Sequence, residues 1–137
     1  MLTVAQAWEA IAHWASPLPE LRVPLAEALG LVLAEPAIAD LDSPPFDKAL
    51  MDGYAVRHTD VANAGATLTV LEEVLAGQVP SRPLGPGQAT RIMTGAMLPE
   101  GADLVIPVEQ TRTPVTDRSQ VEIATGGLPA GKNILRR

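Results

Sequence analysis

Asp52 stands directly before Gly53, inside the otherwise apolar run Ala49-Leu50-Met51-Asp52-Gly53-Tyr54-Ala55-Val56. A carboxylate ahead of a glycine can be held at a sharp backbone corner, because glycine accepts bends that a side chain resists. Pro44-Pro45 stiffens the approach, since each proline fixes its own φ and the second pushes the first toward an extended conformation. Phe46, Met51 and Tyr54 are available to pack beneath such a corner. A carboxylate placed there is a hard oxygen ligand, able to bind Mg2+ or to orient water. Asp-Gly is also a common hairpin turn signal, and on these residues alone both readings stand.

A second candidate follows the apolar residues of Arg91-Ile92-Met93. Thr94-Gly95-Ala96 is a loop of small residues after a strand, whose successive amides can form an anion-accepting concavity. The Thr94 hydroxyl can donate to an anionic oxygen. A plain strand end reads the same way. Asp47, Asp103 and Glu109 are weaker candidates: each can cap a turn or support a metal shell, and each also fits a solvated surface.

Three further patterns fail on their chemistry. Gly126-Gly127-Leu128-Pro129-Ala130-Gly131-Lys132-Asn133 approaches a phosphate-binding P-loop, but Asn133 stands where Ser or Thr must reach Mg2+. Pro129 also removes one of the cradling amides. Asp40-Leu41-Asp42-Ser43-Pro44-Pro45 begins like a calcium loop, yet its sixth position is Pro45 rather than glycine. His13 and His58 are isolated and the chain has no cysteine, so no zinc site or disulfide is recognisable.

The elements that must position Asp52 and Thr94 are short. Thr3-Val4-Ala5-Gln6 has capping-box spacing, and Val4, Ala7, Trp8, Ile11 and Ala15 recur at helical intervals. A helix over 3–15 is predicted, stopped by Ser16-Pro17. Its Trp8 and Trp14 are read as packing residues, with packing against a partner subunit as the sharper alternative. Pro24 to Leu29 reads as a short helix closed by Gly30, and Leu31 to Ala34 with Ile38 as strand. Beyond Gly53 the strands expected are 54–56, 67–71, 88–92, 103–106 and 121–123, punctuated by Gly85-Pro86-Gly87 and Pro99-Glu100-Gly101. The fold class is α+β and mostly β: an N-terminal helical segment over 1–44, then a compact β domain of short strands over 45–131.

With 137 residues, 47% of them hydrophobic, the chain can build one ordinary core, and two only if one is small. Thirteen prolines and eleven glycines favour turns. No apolar run approaches the roughly 20 residues of a membrane span. No basic region followed by an apolar one opens the chain, so a cytoplasmic location is expected. The net charge of −6 argues against nucleic acid, whose phosphates require a basic footprint.

Taken in order, Pro24 to Glu35, the proline-led Met51-Asp52-Gly53-Tyr54-Ala55, Ile92 to Asp103 and Gly131-Lys132-Asn133-Ile134 resemble the N-terminal region of the molybdopterin molybdotransferases. This is the MoeA and gephyrin E-domain family. The resemblance implies an enzyme that inserts molybdate into adenylated molybdopterin with release of AMP, assisted by Mg2+. It implies Asp52 and Thr94 as catalytic residues, Gly53, Gly95 and Ala96 as an anion-binding surround, and Asp52 as a metal ligand. It also implies a homodimer, small anionic substrates, other molybdenum cofactor biosynthesis proteins as partners, and 132–137 as the start of a return to a linking subdomain. A non-catalytic dimerisation or scaffold module of the same family is the alternative.

Three departures qualify the resemblance. Ala49 replaces a serine that the family usually carries, Leu135 replaces an arginine, and the sequence stops at Arg137, ahead of the Gly-Glu-Asp that normally follows. The pterin-binding domain is expected beyond that point, and the 137-residue chain alone is expected to be inactive. Anionic substrates also sit poorly with an acidic chain unless a divalent cation, oriented amides or further basic residues assist.

Overall fold

The Thr3 hydroxyl accepts the Gln6 amide at 3.3 Å while the Gln6 side chain accepts the Thr3 amide at 2.9 Å. That reciprocal cap starts helix α1, Val4–Trp14, which ends at the extended residue Ala15. The computed structural model describes residues 2–113 and 119–137. They form two compact units, Met1–Ala39 and Asp40–Arg137.

In the first unit, α1 buries no residue; Trp8 is 66% and Trp14 84% exposed. Packing of the tryptophans within the chain is therefore corrected: among the described residues, the only ring contact of Trp14 is an edge-on one with its neighbour His13. The stretch Pro24 to Leu29 winds only one 3₁₀ turn, Leu25–Glu27, and Gly30 closes it at a φ of +85°. The strand expected at Leu31 to Ala34 and Ile38 does not form. A strand needs a ladder partner for its backbone groups, and these residues find none: Val32 and Ile38 are almost fully exposed.

Among the described residues the second unit holds eight short strands: β1 Lys48–Ala49, β2 Gly53–Val56, β3 Ala66–Val74, β4 Gln88–Ile92, β5 Leu104–Pro107, β6 Thr111–Arg112, β7 Gln120–Ile123 and β8 Ile134–Leu135. Six of them form one sheet in the order β5-β2-β4-β3-β7-β6, with β3 and β4 parallel and the other pairs antiparallel. β1 and β8 pair separately, Lys48 with Leu135 and Ala49 with Ile134.

Two cores lie on opposite faces of β2 and β5. Tyr54, Val56, Leu104 and Ile106 join Leu68, Val121 and Ile123 in one; Ala55 and Val105 join Ala49, Ile92, Ala96 and Ile134 in the other. Both strands are buried along their whole length, so they read as continuous apolar runs rather than alternations. Each fully buried side chain such as Ile106 contributes about 1.5–3 kcal/mol, which makes the β2–β5 contact a firm base for the bend at 50–52.

The unit boundary falls ahead of the expected 44/45 position because 42–47 pack with the β unit. Pro44 is buried, Asp42 accepts from Arg137 Nε at 2.6 Å, and the last residues run along β1 rather than away from it. The Ser43–Pro44 peptide is cis. Among the described residues, no helix is long and apolar enough to cross a membrane.

Candidate functional site

The bend between β1 and β2 carries Asp52 and is pinned at both ends. The Leu50 amide donates to Asn133 O at 2.9 Å, and the Val108 amide donates to Asp52 O at 3.0 Å. Asp52-Gly53 is not the turn of a hairpin, since β1 pairs with β8 whereas β2 pairs with β4 and β5. Gly53 also has no positive φ; its need is space. A Cβ there would lie 1.9 Å from Ile106 O, so only glycine lets β2 approach β5 this closely.

Asp52 and Thr94 meet. Oδ1 of Asp52 accepts the Thr94 hydroxyl at 2.6 Å and the Thr94 amide at 2.7 Å. Those two bonds, the hydroxyl first, hold the Asp52 carboxyl below its ordinary value, and the charge of Arg91 adds to the effect. Asp52 is thus ionised at neutral pH. Its Oδ2 accepts from no described residue, and Asp52 is exposed together with Leu50 and Met51. Met51, expected to pack beneath the carboxylate, is instead 42% exposed, on the bend that leaves the core between the buried Ala49 and Gly53.

Thr94 and Gly95 form the centre of a tight turn. The Ala96 amide donates to Met93 O at 3.0 Å and Gly95 takes a φ of +83°, as the third position of a type II turn requires. The Gly95 amide donates to Ala49 O at 2.8 Å. All three amides of Thr94-Gly95-Ala96 therefore have acceptors inside the protein, and the turn presents a carboxylate rather than an open amide concavity.

The weaker candidates have other tasks. Asp47 accepts the Arg137 amide at 2.8 Å and pairs with Arg136, and those contacts hold its carboxyl below the usual range. Asp103 accepts the His58 amide and ring, bridging the far ends of β2 and β5. Glu109 sits in a 3₁₀ turn after β5. Among the described residues, no three His, Asp or Glu side chains gather to hold a metal. Position 49 lies in the core at 1% exposure, so a serine hydroxyl there would meet protein interior; Leu135 is 41% exposed.

One group near the site was not singled out from sequence. Arg91 donates from Nε to Glu73 Oε1 at 2.9 Å and from Nη1 to the Tyr54 hydroxyl at 3.3 Å, over a Tyr54 ring 5.9 Å away. Its place in the string leading to Thr94 was the available signal.

The profile of the MoeA N-terminal region (domain I and II) matches residues 2–137. The chain belongs to the MoeA N-terminal family. The molybdopterin molybdenumtransferase of Nostoc sp. is 48% identical to this MoeA N-terminal region over 94 residues, which are 66% of the chain and 22% of that relative. The one from Staphylococcus aureus (strain Mu50) is 38% identical over 114 residues, 80% of the chain and 27% of the relative. A crystal structure of the molybdopterin biosynthesis MoeA protein from Pyrococcus horikoshii OT3 superposes with a TM-score of 0.72 at 38% identity, over 83% of this chain and 30% of that one. The chain spans about a quarter of the length of the curated relatives it matches.

Proposed function

We propose that this MoeA N-terminal region supplies the Asp52 and Thr94 side of a molybdopterin molybdenumtransferase active site. The complete enzyme would insert molybdate into adenylated molybdopterin and release AMP, in the cytoplasm. The observation that carries the reading is the exposed, ionised Asp52, clamped through one oxygen by Thr94 and open at the other. The names of the relatives support the reaction class.

Mg2+ fits this arrangement, because it is commonly held by one or two carboxylates with water and substrate phosphate completing its shell. Bound there, the cation would neutralise charge on the phosphate groups of the substrate. The protein's part is to keep Asp52 ionised and its free oxygen fixed. Thr94 does this by spending both its donors on Oδ1. The rest of the site would come from a domain outside 1–137, supplied by the second subunit of a homodimer. Asp52→Asn in a full-length enzyme carrying this region tests the assignment. Loss of AMP release with an unchanged circular dichroism spectrum is expected; AMP release at the parental rate would overturn it.

A scaffold role is favoured by one observation of its own. Val4, Trp8 and Ile11 recur at helical spacing on α1 and are 77%, 66% and 55% exposed. Sedimentation of the 137-residue chain tests this second reading: a dimer that Trp8→Glu converts to monomer supports it, and a monomeric parent chain refutes it.

A further inference from the structure

An acidic chain that handles anionic substrates needs a cation of its own beside the site, and Arg91 is built like one. It faces Tyr54 across β4 and β2, two residues along β2 from Asp52, and it lies on the strand that delivers Thr94. Gly53 pairs with Ile92 in the same register, so the Asp52 bend and the Met93–Ala96 turn leave the sheet at one edge.

Two contacts orient the guanidinium. Glu73, paired with Arg91 across the parallel β3–β4 ladder, takes Nε; the Tyr54 hydroxyl, itself 3.1 Å from Thr113 Oγ1, takes Nη1. Nη2 donates to no described residue, and the side chain stays 41% exposed. An exposed Arg–Glu pair stabilises a protein very little. A guanidinium already oriented, with Nη2 uncommitted and its charge felt by Asp52, suits a tetrahedral oxyanion instead.

We propose that Arg91 is the substrate-binding cation of this site, donating from its free edge to a phosphate oxygen of the adenylated substrate and offsetting repulsion by Asp52. The inference rests on the function proposed above. The phosphate class follows from the fork geometry and from the need to approach an ionised carboxylate.

Steady-state kinetics of Arg91→Gln and Arg91→Lys in a full-length enzyme carrying this region test it, with Asp52→Asn run alongside. Arg91→Gln should raise KM for adenylated molybdopterin about tenfold to a hundredfold, the size expected for one charge-assisted hydrogen bond, with a smaller change in kcat. Arg91→Lys should recover part of that loss. Added salt should raise the parent KM more steeply than the Arg91→Gln KM. A parental KM in Arg91→Gln, beside an inactive Asp52→Asn, would overturn the Arg91 assignment alone. An active Asp52→Asn would instead overturn the function on which it rests.

Discussion

Oδ1 of Asp52 receives two hydrogen bonds from a single residue, Thr94, that lies 42 positions further along the chain. The clamp joins a bend held by Val108 and Asn133 to a turn held by Ala49 of β1, so the carboxylate is fixed from two directions. One oxygen is used for placement and the other stays open.

The hydroxyl half of this clamp should be readable in the titration of Asp52. Thr94→Val keeps the amide bond but removes the larger of the two contacts that favour the ionised form. The Asp52 midpoint, followed by carboxyl carbon NMR in the 137-residue chain, should rise toward the ordinary 3.8, whereas Thr94→Ser should leave it low. Equal midpoints for parent and Thr94→Val would show that the hydroxyl does not act on Asp52.

Two glycines of the site should respond differently to alanine. At Gly53 an added Cβ meets backbone at 1.9 Å, so β2 and β5 must separate, at a cost of about 3 kcal/mol or more. At Gly95 the nearest atom is 3.9 Å away and only the left-handed φ is lost, worth about 1–2 kcal/mol. Urea unfolding of the two variants should give the larger fall for Gly53→Ala. The reverse order would show that strand proximity is not what position 53 requires.

Acid should destabilise the β unit through carboxylates whose folded pKa values are depressed. Asp47 is lowered first by the Arg137 amide and then by Arg136; Glu72 is lowered first by the Ser81 hydroxyl and further by the amides of Arg82 and Ser81. A depressed folded pKa means stability that is complete above the unfolded values, 3.8 and 4.5, and lost as pH falls through the folded ones. The melting temperature should therefore hold steady down to about pH 5 and then drop. Asp47→Asn should lower it near neutrality and flatten the acid limb. A variant that parallels the parent at every pH would exclude Asp47 as a contributor.

The hydroxyl of Tyr54 should matter more for order than for packing. Tyr54→Phe keeps the buried ring but removes the partner of Arg91 Nη1 and Thr113 Oγ1. A loss of about 1 kcal/mol is expected in urea unfolding. The Arg91 Nε proton should also exchange faster with solvent in the NMR spectrum, and an unchanged exchange rate would mean that Glu73 alone holds the guanidinium.

Local chemistry carried much of the sequence reading. The Thr3/Gln6 cap, the stop at Ser16-Pro17 and the strand at Gln88–Ile92 depend on residues within a few positions of each other, and all are present. Asp52 and Thr94 stood out because a carboxylate before glycine and a threonine before glycine are short patterns. What the tertiary structure alone decided is non-local. The 31–38 segment has the apolar residues of a strand but no ladder to join, while Lys48–Ala49 and Ile134–Leu135 become strands only by pairing with each other. Gly53 is read locally as a bend and required globally by Ile106 O; the Thr94-Gly95-Ala96 amides look free locally and are spent on Asp52, Ala49 and Met93. Turns and caps are set by short-range sterics and hydrogen bonds, whereas the meeting of Asp52 with Thr94 depends on strand order and register, which no window of neighbouring residues contains.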